Sequence, residues 1–201
     1  MSYNPKDHFF HKAKKDGFAA RSVYKLEEID KKYKIFRSGQ NILDLGAAPG
    51  SWSQYACQKI GGGKLLGIDL TPIKLSLPQA HFIAMDLYDF NLAALQELGF
   101  TEPFDVVMSD MAPNTTGIKS VDQARSTGLC ELALETARRT LRPGGTFICK
   151  FFQSGDFQNL RTAIRKEFDR VEVVKPQSTR SISKEIFIVG LKRQKSDQAH
   201  A

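Results

Sequence analysis

Cysteine is scarce in this chain: Cys57, Cys130 and Cys149 are all it has, and none sits in a CxxC pair. An odd number cannot all pair within one molecule, so free thiols in a reducing cytoplasm are the simpler reading. The four histidines offer no ligand cluster beyond His8 and His11 at i,i+3, which read better as part of a basic arm, and no metal site is predicted. No stretch of about 18 uncharged apolar residues is present, which excludes a membrane-spanning helix. The opening residues, Met1 to His8, lack the apolar core of a signal peptide. Two nucleotide signatures are missing as well. There is no GxGxxG dinucleotide fingerprint and no GxxxxGK[ST] phosphate loop.

What is there suits a soluble globular protein. The chain has 201 residues, 41% hydrophobic and 25% charged. A chain of that length folds as one domain and buries roughly 70% of the surface its unfolded form exposes, without disulfide or metal. We therefore expect a single domain over residues 1–201, acting as a monomer, with a basic N-terminal arm at 1–18 and a loosely ordered tail at 192–201. The net charge of +7 is unevenly spread. Residues 1–37 and 161–201 each carry ten Lys/Arg against five Asp/Glu, while 38–160 carries nine against twelve. Basic ends around an acidic-leaning middle fit a protein that grips a polyanion while a chemical site sits inside, although a solvated basic surface would look the same.

Periodicity gives an alternating order of helices and strands. Helices are predicted at Ala19–Phe36, from Ser51 (as N-cap) to Lys59, and at Leu92–Leu98, Val121–Leu141 and Phe157–Phe168. Strands are predicted at Asn41–Leu45, Lys64–Asp69, His81–Ala84, Phe104–Ser109, Thr146–Phe151, Val171–Val174 and Glu185–Leu191. Most strands are apolar throughout, as in a largely parallel sheet covered by helices on both faces. The last two, joined by a polar loop, can pair as an antiparallel hairpin at one end.

In such sheets ligands bind at the carboxyl ends of the strands, where strand order reverses. The first strand ends in Asp44-Leu-Gly-Ala-Ala-Pro-Gly50, and Gly46 and Gly50 allow a tight turn and a close ligand approach. Asp69 ends the second strand 23 residues after Gly46, a spacing that suits an acid on the ribose hydroxyls of a nucleoside. No basic residue adjoins the loop to meet a pyrophosphate. A nucleoside without phosphates fits better, and S-adenosyl-L-methionine (SAM) brings a sulfonium cation that acidic neighbours favour. Asp86 could take an adenine amino group, and Trp52 could offer an apolar wall. The bland alternative is that the glycines cap a strand and the two aspartates cap turns.

Two further residues stand out singly. Asp110 lies at the mouth of the fourth strand, and Lys150 sits among aromatics in Thr146-Phe-Ile-Cys-Lys-Phe-Phe152. A lysine inside an apolar strand is costly unless it has partners or a task. Lys25 reads equally well as a surface residue, and Glu185 as the start of a strand.

Together, DLGAAPGSWSQ (44–54), SDMAPNTTG (109–117), the Lys150 strand, SKEIFIV (183–189) and RSVYKLEEID (21–30) resemble the FtsJ/RrmJ family of SAM-dependent ribose 2′-O-methyltransferases. The similarity covers roughly residues 8–191. It implies a Rossmann-like methyltransferase fold, with a mostly parallel seven-stranded sheet and an antiparallel C-terminal strand. It places a catalytic tetrad on Lys25, Asp110, Lys150 and Glu185, and a SAM site on Gly50, Trp52, Asp69, Asp86 and Asp110, to which the loop reading adds Gly46. Ser51 departs from the family, whose members commonly have a second glycine there. The short members act on a uridine of large-subunit (23S) ribosomal RNA, which implies rRNA on the large ribosomal subunit as partner. The chemistry is coherent, because a neutral lysine near a second cation can take the proton of an attacking ribose hydroxyl. A base methyltransferase is the nearest rival, yet Asp110-Met-Ala-Pro113 is not its usual Asp/Asn-Pro-Pro-aromatic motif. A non-catalytic RNA-binding module would need neither the lysine nor the loop.

Overall fold

The structure, a computed structural model, describes residues 8–153, 155–180 and 182–195. Seven strands, β1 (Asn41–Leu45), β2 (Lys64–Asp69), β3 (Ala80–Ala84), β4 (Phe104–Ser109), β5 (Leu141–Phe152), β6 (Phe168–Val174) and β7 (Glu185–Arg193), form one sheet. Its order is β3-β2-β1-β4-β5-β7-β6. Pairs β1–β2, β1–β4, β2–β3 and β4–β5 are parallel, whereas β7 runs antiparallel to both its neighbours. The helices are α1 (His8–Lys15), α2 (Val23–Tyr33), α3 (Ser51–Ile60), α4 (Leu92–Glu97), α5 (Lys119–Thr140) and α6 (Phe157–Arg165).

The strands read as continuous apolar runs because successive side chains enter two different cores. Ile42, Val106, Ile148 and Phe187 face α2 and α3, where Leu26, Ile29, Trp52 and Ile60 meet them. Leu43, Val107, Phe147 and Cys149 face the other way, onto Cys130, Ala133 and Leu134 of α5 and Leu160 and Ile164 of α6. Each large aliphatic side chain enclosed in this way contributes about 1.5–3 kcal/mol. From β1 the chain winds outward through β2 and β3, then returns to β4 and winds the other way. The order therefore reverses between β1 and β4, and in sheets of this kind the ligand crevice lies beyond the carboxyl ends of the two strands at that reversal.

Several boundaries differ from those predicted. Within the basic N-terminal arm, His8–Lys15 forms α1. Phe9 and Ala13, four apart, pack it onto the core beside Tyr24, and the surrounding lysines hide that short stripe in the sequence. The tail begins later than expected. Lys192 and Arg193 belong to β7, and an Arg193 guanidinium N–H donates to the Arg138 carbonyl at 2.6 Å. The first seven residues and 196–201 fall outside the described residues. Ser51 is not the cap of α3 but its first residue; Gly50 takes the cap position with φ +105°, which few other residues adopt. The Ser51 hydroxyl instead meets the Ser22 hydroxyl at 3.0 Å. Strand β5 starts before the Arg142-Pro-Gly-Gly145 turn, because Leu141 already pairs with Phe104 before the register shifts and Thr146 meets Val106. The helix expected to reach Phe168 stops at Arg165, so that Phe168 can open β6 and stack on Phe147. Predicted helix Ala19–Phe36 contracts to α2, whose C-cap Lys34 turns left-handed.

Candidate active site

Three strand ends meet at the crevice. Leu45 pairs with Ile68 on one side and Ser109 on the other, so Gly46, Asp69 and Asp110 follow at one level. The turn after β1 is held by backbone, with Gly46 N–H and Ala47 N–H both donating to the Ile68 carbonyl. A side chain at Gly46 (φ +74°) would collide with Met111, whose Cα lies 3.2 Å from where a Cβ would stand. One at Gly50 would strike Leu75 Cδ1. Both glycines are thus dictated by conformation and by close approach.

The acids around this turn hold it together. Asp69 accepts from Ala48 N–H at 3.0 Å and from Thr71 N–H at 2.7 Å. Asp86 caps the short 3₁₀ turn Leu87–Asp89, accepting from Tyr88 N–H at 3.0 Å. The turn-capping alternative is therefore present in the geometry. It does not exhaust either carboxylate, since each oxygen carries two lone pairs and accepts at most once from these loops. Trp52 is placed differently from the other candidates. Its ring is only 2% exposed, lies 5.7 Å from the Phe187 ring, and its indole N–H donates to the Ser22 carbonyl at 2.9 Å. It ties α3 to the start of α2 from inside the core.

The lysines and the remaining acids form two ion pairs. Lys150 Nζ donates to Asp110 Oδ1 at 3.0 Å and also to the Asp110 carbonyl oxygen, with the lysine side chain 9% exposed. Lys25 Nζ pairs with Glu185 Oε1, and both side chains are largely enclosed. The sheet register explains why the pairs are neighbours. Lys150 lies opposite Phe187, and Glu185 opposite Phe152, so Lys150 and Glu185 are diagonal on one face. The Lys25 ammonium lies 5.9 Å from the centre of the same Phe187 ring. Lys25, Lys150 and Glu185 thus cluster around Phe187, on the face covered by α2, and Asp110, through its pair with Lys150, joins the cluster to the end of β4.

Two features escaped the sequence reading. Asp44, in β1, is 1% exposed; Ser53 Oγ donates to its Oδ2 at 2.7 Å, and its Oδ1 is buried without a hydrogen-bond partner. Burial pushes its carboxyl up to about 7, the Ser53 hydrogen bond pulls it back in part, and the charges of Asp110 and Asp69 add to the rise. An acid within the apolar run Asn41-Ile-Leu-Asp-Leu45 is the same signal that marked Lys150. The second feature is a clasp on the loop before β7. The Glu28 carboxylate accepts from Gln177 N–H at 2.6 Å and Ser178 N–H at 2.9 Å, and Arg21 donates to the Ser178 carbonyl. Arg21, Lys25 and Glu28 stand at i, i+4 and i+7, a polar stripe that turns both the loop and Glu185 towards α2.

The FtsJ-like methyltransferase pattern matches residues 18–193. The chain belongs to the FtsJ-like methyltransferase family. Ribosomal RNA large subunit methyltransferase E of Bdellovibrio bacteriovorus is 60% identical over 195 residues, covering 96% of this chain and 100% of that protein. The protein of the same name from Desulfatibacillum aliphaticivorans is 50% identical over 187 residues, 92% of this chain and 89% of its own length. Among solved structures, one from Plasmodium falciparum described as a ribosomal RNA methyltransferase superposes with a TM-score of 0.78 at 28% identity. It covers 88% of this chain and 98% of its own. Among the described residues no helix is long and apolar enough to cross a membrane.

Proposed function

We propose that this FtsJ-like methyltransferase moves a methyl group from SAM to the 2′-hydroxyl of a uridine ribose in large-subunit (23S) ribosomal RNA, on the assembled subunit in the cytoplasm. The observation that carries the reading is the joining of two lysine–carboxylate pairs to the crevice at the reversal of strand order, through Asp110. Relatives that span the whole chain and are named for large-subunit ribosomal RNA support the choice of substrate.

The crevice fits the cofactor. Gly46 and Gly50 let the turn after β1 pack tightly against Met111 and Leu75, and the carboxylates of Asp69, Asp86 and Asp110 beside it favour a cation and hydroxyl or amino donors over a phosphate. Asp69 would hold the ribose hydroxyls and Asp86 the adenine amino group, while Trp52 would act by fixing α3 beneath the loop. When bound, SAM supplies an activated methyl carbon.

The chain's own residues do the rest. A ribose hydroxyl is a weak nucleophile until its proton is removed, and Lys150 Nζ, once it has released its own proton to solvent, would take it. Asp110 then holds the ammonium that Lys150 becomes. Glu185 fixes Lys25, whose positive charge faces the oxygen as it gains negative character. Orientation of the hydroxyl towards the methyl carbon supplies several kcal/mol more.

The test is nucleoside mass spectrometry of unmodified large subunits incubated with the protein and methyl-labelled SAM. The expected product is 2′-O-methyluridine, and replacing the target ribose by 2′-deoxyribose should abolish it. Label retained on the deoxy substrate would make the base the acceptor and refute the reading.

A further inference from the structure

Away from the tetrad, on the far side of α3, a cleft of about 350 Å³ opens between α1, the loop that follows it, and the segment after β2. Its walls include Phe10, Lys14, Phe18, Gln54 and Leu75. The size is at the low end for a small-molecule site and suits one nucleoside-sized group. The cleft is held in a fixed shape. Gln54, on α3, grips the loop with both ends of its amide, donating to the Gly17 carbonyl at 3.1 Å and accepting from Ala19 N–H at 2.8 Å. The floor residue Leu75 also blocks the space beside Gly50, so one side chain separates the cleft from the turn at the candidate cofactor site.

Its chemistry is specific in kind. Phe10 is 44% exposed, an unusual state for a large apolar ring, and Phe18 is half-buried beside it. Helix α1 has no acid in its first turn and carries Lys12, Lys14 and Lys15 in its last. Lys12 is occupied, bonded to Asp16 at 3.6 Å and lying over the Tyr24 ring. Lys14 and Lys15 make no ion pair among the described residues. Apolar rings lining the same cleft as the cation of Lys14 form a platform for an unpaired base with its phosphate, since every base has a face to stack and every linkage a charge to neutralise. An acidic or purely apolar peptide would match only half of this surface.

We propose that the cleft binds one unpaired nucleotide of the RNA substrate, its base stacked against Phe10 and Phe18 and its phosphate near Lys14, outside the nucleotide that is methylated. The inference rests on the proposed RNA substrate. It adds a second point of attachment that would fix the strand relative to the crevice through α3.

The experiment uses the full chain and large-subunit RNA carrying 4-thiouridine, irradiated and digested so that cross-linked residues are read by mass spectrometry, alongside steady-state kinetics. Cross-links on Phe10, Lys14 or Phe18 are expected. Phe10→Ala should raise KM for the subunit about tenfold or more, the scale of one lost stacking contact, with kcat and SAM affinity unchanged. Phe10→Trp should restore KM, which a charge effect alone would not do. A KM unmoved by Phe10→Ala, or cross-links only elsewhere, would overturn the proposal. Cross-links to the cleft in RNA that receives no methyl group would uphold it while refuting the proposed reaction.

Discussion

Asp44 in β1 and Lys150 in β5 each stand as an acid or a base within an apolar stretch, 41–45 and 146–152, and the molecule treats the two in opposite ways. Lys150 in β5 keeps partners, the carboxylate and carbonyl of Asp110. Asp44 in β1 has one hydroxyl donor and an oxygen with none, and burial raises its carboxyl to about 7. A buried charge is tolerated either by pairing or by neutralisation, and this sheet shows both within a few strands of each other. The difference follows position. Asp44 lies deep beneath the glycine turn, enclosed on both sides by β2 and β4. Lys150 lies near the carboxyl end of its strand, where Asp110 can reach it.

The sharpest way to break this comparison is to remove the amine. Lys150→Ala should lower methyl transfer by at least 10²–10⁴-fold, the usual loss with a general base, while SAM affinity stays within a few-fold. Single-turnover assays beside calorimetry check it, and a variant within about tenfold of wild type would remove Lys150 from that role.

The next largest effect concerns Asp44. An unfolded aspartate ionises near 3.8, whereas Asp44 in the fold holds its proton up to about 7. Between those values the folded state binds the extra proton, so stability falls as pH rises through the window and levels off above it. A shift of this size corresponds to a few kcal/mol at most, on the order of 1.4 per pH unit. Asp44→Asn keeps an acceptor for Ser53 and abolishes the titration. Urea unfolding at pH 5 and pH 7.5 should show a smaller loss in the variant than in wild type, and equal losses would mean that Asp44 is charged in the fold.

The same contrast bears on what could be read from sequence. The doubly wound sheet was legible because strands that feed two cores are apolar on both faces, and the reversal between β1 and β4 follows from the alternation of elements. Lys150 and Asp110 were legible as residues, one by its apolar setting and one by its place at a strand end. Lys25 and Glu185 came only from family resemblance, since their contact joins positions 160 residues apart and leaves no local trace. The Glu28 clasp was invisible for the same reason. Helix α1 was lost among its lysines, and Asp44 was passed over as part of a glycine motif although it carries the signal that identified Lys150.

A third test stays at the crevice. Asp69→Ala should weaken SAM binding by about 1–3 kcal/mol, the scale of a charged hydrogen bond. Because Asp69 also holds Ala48 and Thr71, Asp69→Asn separates the two roles. The amide can still accept from one backbone N–H but brings a donor where the ribose would need an acceptor. Unaltered affinity in both variants, measured by calorimetry, would leave Asp69 as a turn cap only.

The smallest expected effect sharpens the comparison by setting a second lysine beside Lys150. Lys15, at the end of α1, is exposed and without an ion pair among the described residues, so it can act on RNA only through its charge. A phosphate contact releases counterions, and losing one should reduce the slope of log K against log salt by about 0.7–0.9. Lys15→Gln should therefore weaken binding to the large subunit by no more than about 1 kcal/mol at low salt, with the deficit vanishing as salt rises and screening shortens the reach of the charge. Lys150→Ala, by contrast, should show a catalytic loss of the same size at every salt concentration, because its pair with Asp110 is enclosed. Filter binding and single-turnover rates over a salt series separate the two. A slope unchanged by Lys15→Gln would show that the basic helix does not touch phosphate at that position, and a catalytic defect in Lys150→Ala that faded with salt would make the buried lysine an RNA anchor instead of a base.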